Sequence, residues 1–113
     1  MRIFLLTKTP HSERTRLCLQ LLANSQDAVV YLAGDGVYNL LGREEAGKVS
    51  QTGEACRAGQ ALVALVARDR ILACREDLEA RGICAEGRAT VPADFYESLV
   101  DDMMREGSRI YTF

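Results

Sequence analysis

Ala28-Val29-Val30-Tyr31-Leu32, followed at once by Ala33-Gly34-Asp35-Gly36, decides the fold. No polar position interrupts the first five residues, so both faces of that strand are buried, as in the middle of a parallel sheet. The two glycines then turn the chain into a short helix around Val37 to Leu41. On the N-terminal side, Ile3 to Leu6 reads as a first strand. Thr9-Pro10 opens a helix, because proline suits the first helical position and threonine can cap it. Leu17, Cys18, Leu21 and Leu22 recur at helical spacing as the inward stripe of that helix, which Asn24-Ser25 ends.

On the C-terminal side, Ala61 to Ala67 reads as a buried helix rather than a strand, since Ala and Leu dominate it. Arg70 to Cys74 follows as a strand, then a short helix from Arg75 to Arg81 closed by Gly82. Thr90-Val91 marks a fourth strand. Pro92 and Asp94 start a helix from Phe95 to Arg105, with Phe95, Leu99 and Met103 as its apolar stripe and the Met103-Met104 pair on a packing face. Arg109 to Phe113 is a last strand at an edge. The alternation predicts a single α/β domain over residues 1–113, a three-layer sandwich of about five mostly parallel strands. Residues Gly42 to Gly59 form a glycine-rich excursion that carries Cys56.

The 113 residues, 48% of them apolar, suffice for one core. Fourteen Lys and Arg against sixteen Asp and Glu leave a net charge of -2, and no basic run is present for a phosphate backbone to meet. Direct nucleic-acid binding is therefore not expected. The longest apolar stretch, Ala61 to Ala67, is far short of the roughly 20 residues that cross a bilayer. The apolar run at Ile3 to Leu6 is too short for a secretion signal, so a cytoplasmic location is expected. There, Cys18, Cys56, Cys74 and Cys84 stay reduced, which favours thiol chemistry over a disulfide frame. No C-x-x-C spacing occurs and His11 is far from any cysteine pair, so no metal site is expected.

Chemistry in such sheets gathers at the carboxyl ends of strands. Two places qualify. At Gly34-Asp35-Gly36 the simpler account is a turn, with Asp35 capping the next helix. At Cys74 a strand ends and a helix begins, so the sulfur faces unpaired amides that favour a thiolate or a persulfide anion. Glu76 and Asp77 oppose that by raising the thiol pKa, and Arg75 can offset them. Cys18 lies in an apolar stripe and reads as structural. Cys84, just past Gly82, is either an exposed neighbour of Cys74 or a packed residue.

Several segments together resemble a known family. Leu17-Cys18-Leu19-Gln20-Leu21-Leu22, Gly34-Asp35-Gly36-Val37-Tyr38, Glu76-Asp77-Leu78-Glu79-Ala80-Arg81-Gly82-Ile83 and Asp94-Phe95 with an aromatic last strand are similar to the DsrH/TusB subunits of sulfur-relay complexes. The likeness spans nearly the whole chain, and residues 42–59 look like an insertion. It implies a DsrE-like fold, assembly with related subunits, and passage of persulfide sulfur toward wobble-uridine thiolation in tRNA or toward sulfur oxidation. The DsrE/TusD relatives place their sulfur-accepting cysteine eight residues before the glycine of an R-G pair, where this chain has Cys74 before Gly82. Typical TusB chains have an apolar residue there. By the same resemblance Cys18 is the second candidate, since some DsrH chains carry a cysteine in the first helix.

The expected activity is that of a sulfurtransferase-like carrier in which Cys74 accepts and passes on persulfide sulfur, with no cofactor and no metal. Its expected partners are persulfide donor and acceptor proteins and related relay subunits or further copies of itself. Two other readings stand beside it: a non-catalytic scaffold subunit, and a thiol redox sensor pairing Cys74 with Cys84.

Overall fold

The computed structural model describes residues 1–41, 62, 65–85 and 87–113. Four strands form one parallel sheet: β1 (Arg2–Leu6), β2 (Ala28–Leu32), β3 (Ile71–Ala73) and β4 (Arg109–Thr112), in the order β3-β2-β1-β4. Ile3 faces Val29 across β1 and β2 and Ile110 across β1 and β4, while Val30 faces Ile71. The sheet is all parallel, in keeping with the unbroken apolar runs of β1 and β2, which are covered on both faces, whereas the edge strand β4 is largely exposed.

Side chains alternate between those faces with period two. Phe4, Leu6, Val30, Leu32, Ile71 and Ala73 point to one side. There they meet Cys18 and Leu22 of helix α1 (Glu13–Ala23), Leu78 of helix α2 (Arg75–Arg81), and Leu62 and Val66. Ile3, Val29 and Tyr31 point to the other side, against Phe95 and Leu99 of helix α3 (Phe95–Met103). Each such buried leucine contributes about 1.5–3 kcal/mol relative to an exposed one. The result is the expected three-layer α/β sandwich.

The expected fifth strand is not formed. Thr90 makes a single parallel bridge to Leu72: its amide donates to Ile71 O at 2.8 Å and its carbonyl accepts from Ala73 N at 3.0 Å. Pro92 lies two residues on and has no amide to donate, which keeps the pairing from extending into a ladder. The segment therefore covers the outer edge of β3 at one point only. The last strand, β4, stands at the opposite edge as expected.

Helix boundaries shift for local reasons. Ser12, not Thr9, caps α1: its Oγ accepts from Arg14 N at 3.1 Å. Thr9 instead gives its carbonyl to the buried Thr15 hydroxyl at 2.6 Å. Only Cys18 and Leu22 of the expected stripe are buried on α1, whereas Leu17 and Leu21 are exposed. Helix α3 starts at its Asp94 cap, whose Oδ1 accepts from Glu97 N at 3.0 Å, and it ends at Met103. Met103 and Met104 are exposed rather than packed. Leu62 and Leu65 are helical, and Val66 N donates to Leu62 O, in line with the helix expected there. Cys56 and the excursion from Gly42 to Gly59 lie outside the described residues.

Candidate functional site

At the carboxyl ends of β1, β2 and β3 the chain leaves the sheet in three turns that press on one another. After β2, Gly34 turns with φ +54°, and a 3-10 helix runs from Gly34 to Leu40. A Cβ on Gly36 would lie 2.0 Å from Leu6 O, so only glycine lets this turn sit against the end of β1. Asp35 does not cap the 3-10 helix, as the sequence suggested. Its carboxylate pairs with Arg81 at 3.0 Å, and the Arg81 guanidinium also lies over the Tyr38 ring. Asp77 on α2 accepts from Gly34 N at 2.7 Å and pairs with Arg81 at 3.6 Å. Together these bonds lock the turn after β2 to α2.

Cys74 sits where β3 ends and α2 begins, and it is the N-cap residue of α2. Ile71 and Ala73 face the α1 layer, so alternation turns Cys74 to the α3 layer, where it packs with Tyr31, Ala33, Phe95 and Leu99. Only 3% of the residue is exposed. Its amide donates to Leu32 O at 3.0 Å, holding the junction to β2. Its sulfur donates to Glu76 Oε2 at 3.3 Å. Burial raises the thiol pKa most. The Asp77 amide favours the anion without completing a capping hydrogen bond to sulfur, and the Glu76 and Asp77 carboxylates raise the pKa further. The expected junction is therefore present, but the resting sulfur is a shielded thiol rather than a thiolate open to solvent.

Tyr96 stands in the vicinity: burial, and then the charges of Cys74, Asp77 and Glu76, raise its phenol pKa. It is 60% exposed and adjoins Phe95, which meets Tyr31 edge-on with ring centres 5.3 Å apart. Sequence reading left Tyr96 out of the site, because twenty-two residues separate it from Cys74 and nothing local links them.

The other cysteines divide clearly. Cys18 is fully buried, and desolvation pushes its thiol up to about 12. Cys84 is exposed, beside Arg75, Glu79 and Ile83 in a shallow hollow, and neither it nor Cys74 is in a disulfide. His11 is exposed near the start of α1. Among the described residues, no three His, Cys, Asp or Glu side chains are grouped to hold a metal, and no helix is long and apolar enough to cross a membrane. Compared with known proteins, the chain matches no family model and no curated protein.

Proposed function

We propose that this chain is a sulfur-relay protein that carries sulfane sulfur on Cys74. The observation that supports the reading best is the seat of Cys74: the cap of α2 at the carboxyl end of a parallel strand, packed in one cluster with Phe95 and Leu99 of α3. Such a seat favours an anion once the sulfur ionises, and it shields a reactive sulfur from bulk solvent.

In the proposed step the Cys74 thiolate attacks the outer sulfur of a donor persulfide. The donor S–S bond breaks, the new bond forms at Sγ, and the donor leaves as a thiolate. The acceptor repeats the exchange in reverse, so no oxidant, reductant or cofactor is consumed. Donor and acceptor are proteins, and related subunits or further copies of this chain make up the working assembly. The cytoplasm suits four reduced cysteines. The resemblance points to tRNA wobble-uridine thiolation or sulfur oxidation as the destination.

A second reading is a scaffold subunit with no sulfur of its own to pass. The protonated, covered Cys74 favours it, as does the exposed apolar face of Tyr96, Val100 and Met103 on α3. Incubation with a polysulfide followed by peptide-resolved mass measurement separates the two. A carrier gains one sulfur atom on the Cys74 peptide, and Cys74→Ser does not gain it. Sulfur uptake undiminished in Cys74→Ser rejects Cys74 as carrier, and no uptake in the wild type leaves the scaffold.

A further inference from the structure

At the rim of the sheet opposite to Cys74, Arg2 opens β1 and Arg109 opens β4, and the two are paired in register. Neighbouring strands place such partners about 4.8 Å apart with their side chains on one face. That face is the one toward α1, since Arg2 shares its parity with Phe4 and Arg109 with Tyr111. The backbone beneath both is fixed: Arg2 N donates to Asp27 O and Arg109 N to Met1 O, each at 3.0 Å. Both residues are exposed, and among the described residues neither guanidinium has a hydrogen bond or an ion pair. Two cations so placed repel each other.

With Met1, Asn24, Gln26 and Gly107 the two arginines line a hollow of about 580 Å³, within the size range of small-ligand clefts. Among the described residues no carboxylate lines it. Asp27, next to Gln26 in the chain, pairs with Arg70 at 3.0 Å and with the Met1 amino group at 3.5 Å. Glu106, next to Gly107, is exposed and outside the lining. The carbonyls that end α1 do not engage the arginines either, because Asn24 and Ser25 donate to those of Gln20, Leu21 and Leu22. Gln26 is exposed, and its side-chain amide has no partner among the described residues, which leaves a neutral donor beside the two cations. A Cβ on Gly107 would meet nothing within 4 Å, so that wall is open to entry.

We propose that this hollow binds a small tetrahedral oxyanion of the phosphate type, bridged between the Arg2 and Arg109 guanidiniums. Each guanidinium is a planar fork that takes two oxygens of one anion. A tetrahedral anion has several oxygen–oxygen edges and serves both forks at once, whereas a carboxylate has a single edge and serves one. The bound anion replaces the repulsion between the arginines with charge-assisted hydrogen bonds, and Gln26 adds a further donor. The site lies at the amino ends of β1 and β4, away from the strand end that holds Cys74, so it takes no part in the proposed sulfur step and is tested apart from it.

The test is a titration of the full chain with inorganic phosphate, exchanged for NaCl at constant ionic strength and followed by NMR on the backbone amides of Gln26, Gly107 and Arg109. Saturable shifts confined to this rim are expected. Arg2→Gln and Arg109→Gln each weaken binding about tenfold or more, through loss of hydrogen bonds from a charged donor. Arg14→Gln removes the same charge from the first turn of α1 and leaves the affinity unchanged. Acetate, with its single edge, binds about tenfold more weakly than phosphate or worse. Phenyl phosphate separates the two sources of this chemistry: tighter binding than that of the free ion assigns the site to a phosphorylated small molecule, and weaker binding assigns it to inorganic phosphate. Heat denaturation is an independent reading, since phosphate raises the midpoint of the wild type and not that of the variant lacking both arginines. Shifts that grow without saturating, undiminished affinity in that double variant, or acetate binding as tightly as phosphate overturns the site.

Discussion

The Asp77 carboxylate accepts the backbone N–H of Gly34 at 2.7 Å, and through that one bond the start of α2 is held to the turn after β2. Both elements border Cys74, so the tie governs how the candidate site is shaped. Asp77→Ala strands the Gly34 amide and removes one of the two carboxylates that pair with Arg81, leaving that of Asp35. A hydrogen bond to a charged acceptor contributes about 1.5–3 kcal/mol, and urea unfolding of the variant is expected to show a loss in that range. Asp77→Asn, which keeps an acceptor oxygen, is expected to lose less. Equal midpoints for all three proteins would mean that the tie contributes nothing.

Gly36→Ala is expected to be among the most damaging single changes. Its Cβ would meet Leu6 O at 2.0 Å and Leu6 C at 2.8 Å, and both are backbone atoms of the sheet that no rotamer change can move. Overpacking of this kind costs about 3 kcal/mol or more, because the 3-10 helix has to lift off β1. Thermal unfolding checks it. Gly82→Ala is a useful comparison, since nothing lies within 4 Å of a Cβ there and only the φ of +65° is strained.

Alkylation of the native chain is expected to follow exposure. Of the three cysteines among the described residues, Cys84 reacts first because it is exposed. Cys74 follows slowly, under a 3% opening and with a raised pKa. Cys18 reacts last, since it is fully buried and its thiol is pushed up to about 12. Peptide mapping after timed quenching gives the order. Cys18 reacting before Cys74 would contradict the packing of α1 on the sheet.

Stability is expected to fall on the alkaline side. Cys18, Cys74 and Tyr31 all hold their protons more tightly folded than unfolded. Where the unfolded chain has lost a proton that the folded chain keeps, rising pH favours unfolding. For Cys18 the stabilisation is complete below its ordinary 9.0 and is lost as pH climbs toward about 12. The slope is about 1.4 kcal/mol per pH unit for one group. Tyr31, fully buried and donating to the Asp102 carboxylate, adds to the decline above its ordinary 10.0. Urea midpoints over a pH series are expected to decline less steeply in Cys18→Ala and, at the upper end, in Tyr31→Phe. Parallel declines in all three would contradict the assignment.

Much of the frame is legible in the residues themselves. The apolar runs at Ile3–Leu6 and Ala28–Leu32 are strands because both parities are apolar. Gly82 and Asp94 mark helix ends because a left-handed residue and a capping carboxylate are local requirements. The place of Cys74 at a strand-to-helix junction is legible for the same reason, and so is the pull of its neighbouring carboxylates. Its cover is not. Phe95 and Leu99 reach it only after the chain has crossed to the other face of the sheet, and no spacing in the sequence encodes that meeting. Leu17 and Leu21 fit an inward stripe by period alone, yet α1 is rolled so that Thr15, Cys18 and Leu22 face the core. The roll is set in part by the Thr15 hydroxyl reaching back to Thr9 O, a tertiary choice between two apolar faces. Thr90-Val91 reads as a strand by composition, but Pro92 and the short β3 leave it one bridge.

The two borders of the sheet are unlike: Thr90 crosses outside β3, while among the described residues β4 pairs with β1 alone. Any copy that lengthened the sheet by two-fold pairing of β4 with β4 would run its strands head to tail with the first, placing the two Cys74 residues at opposite rims. If Cys74 carries sulfur as proposed, such a pair would not pass it between its own halves, and each half would be served by a visitor arriving at its own rim.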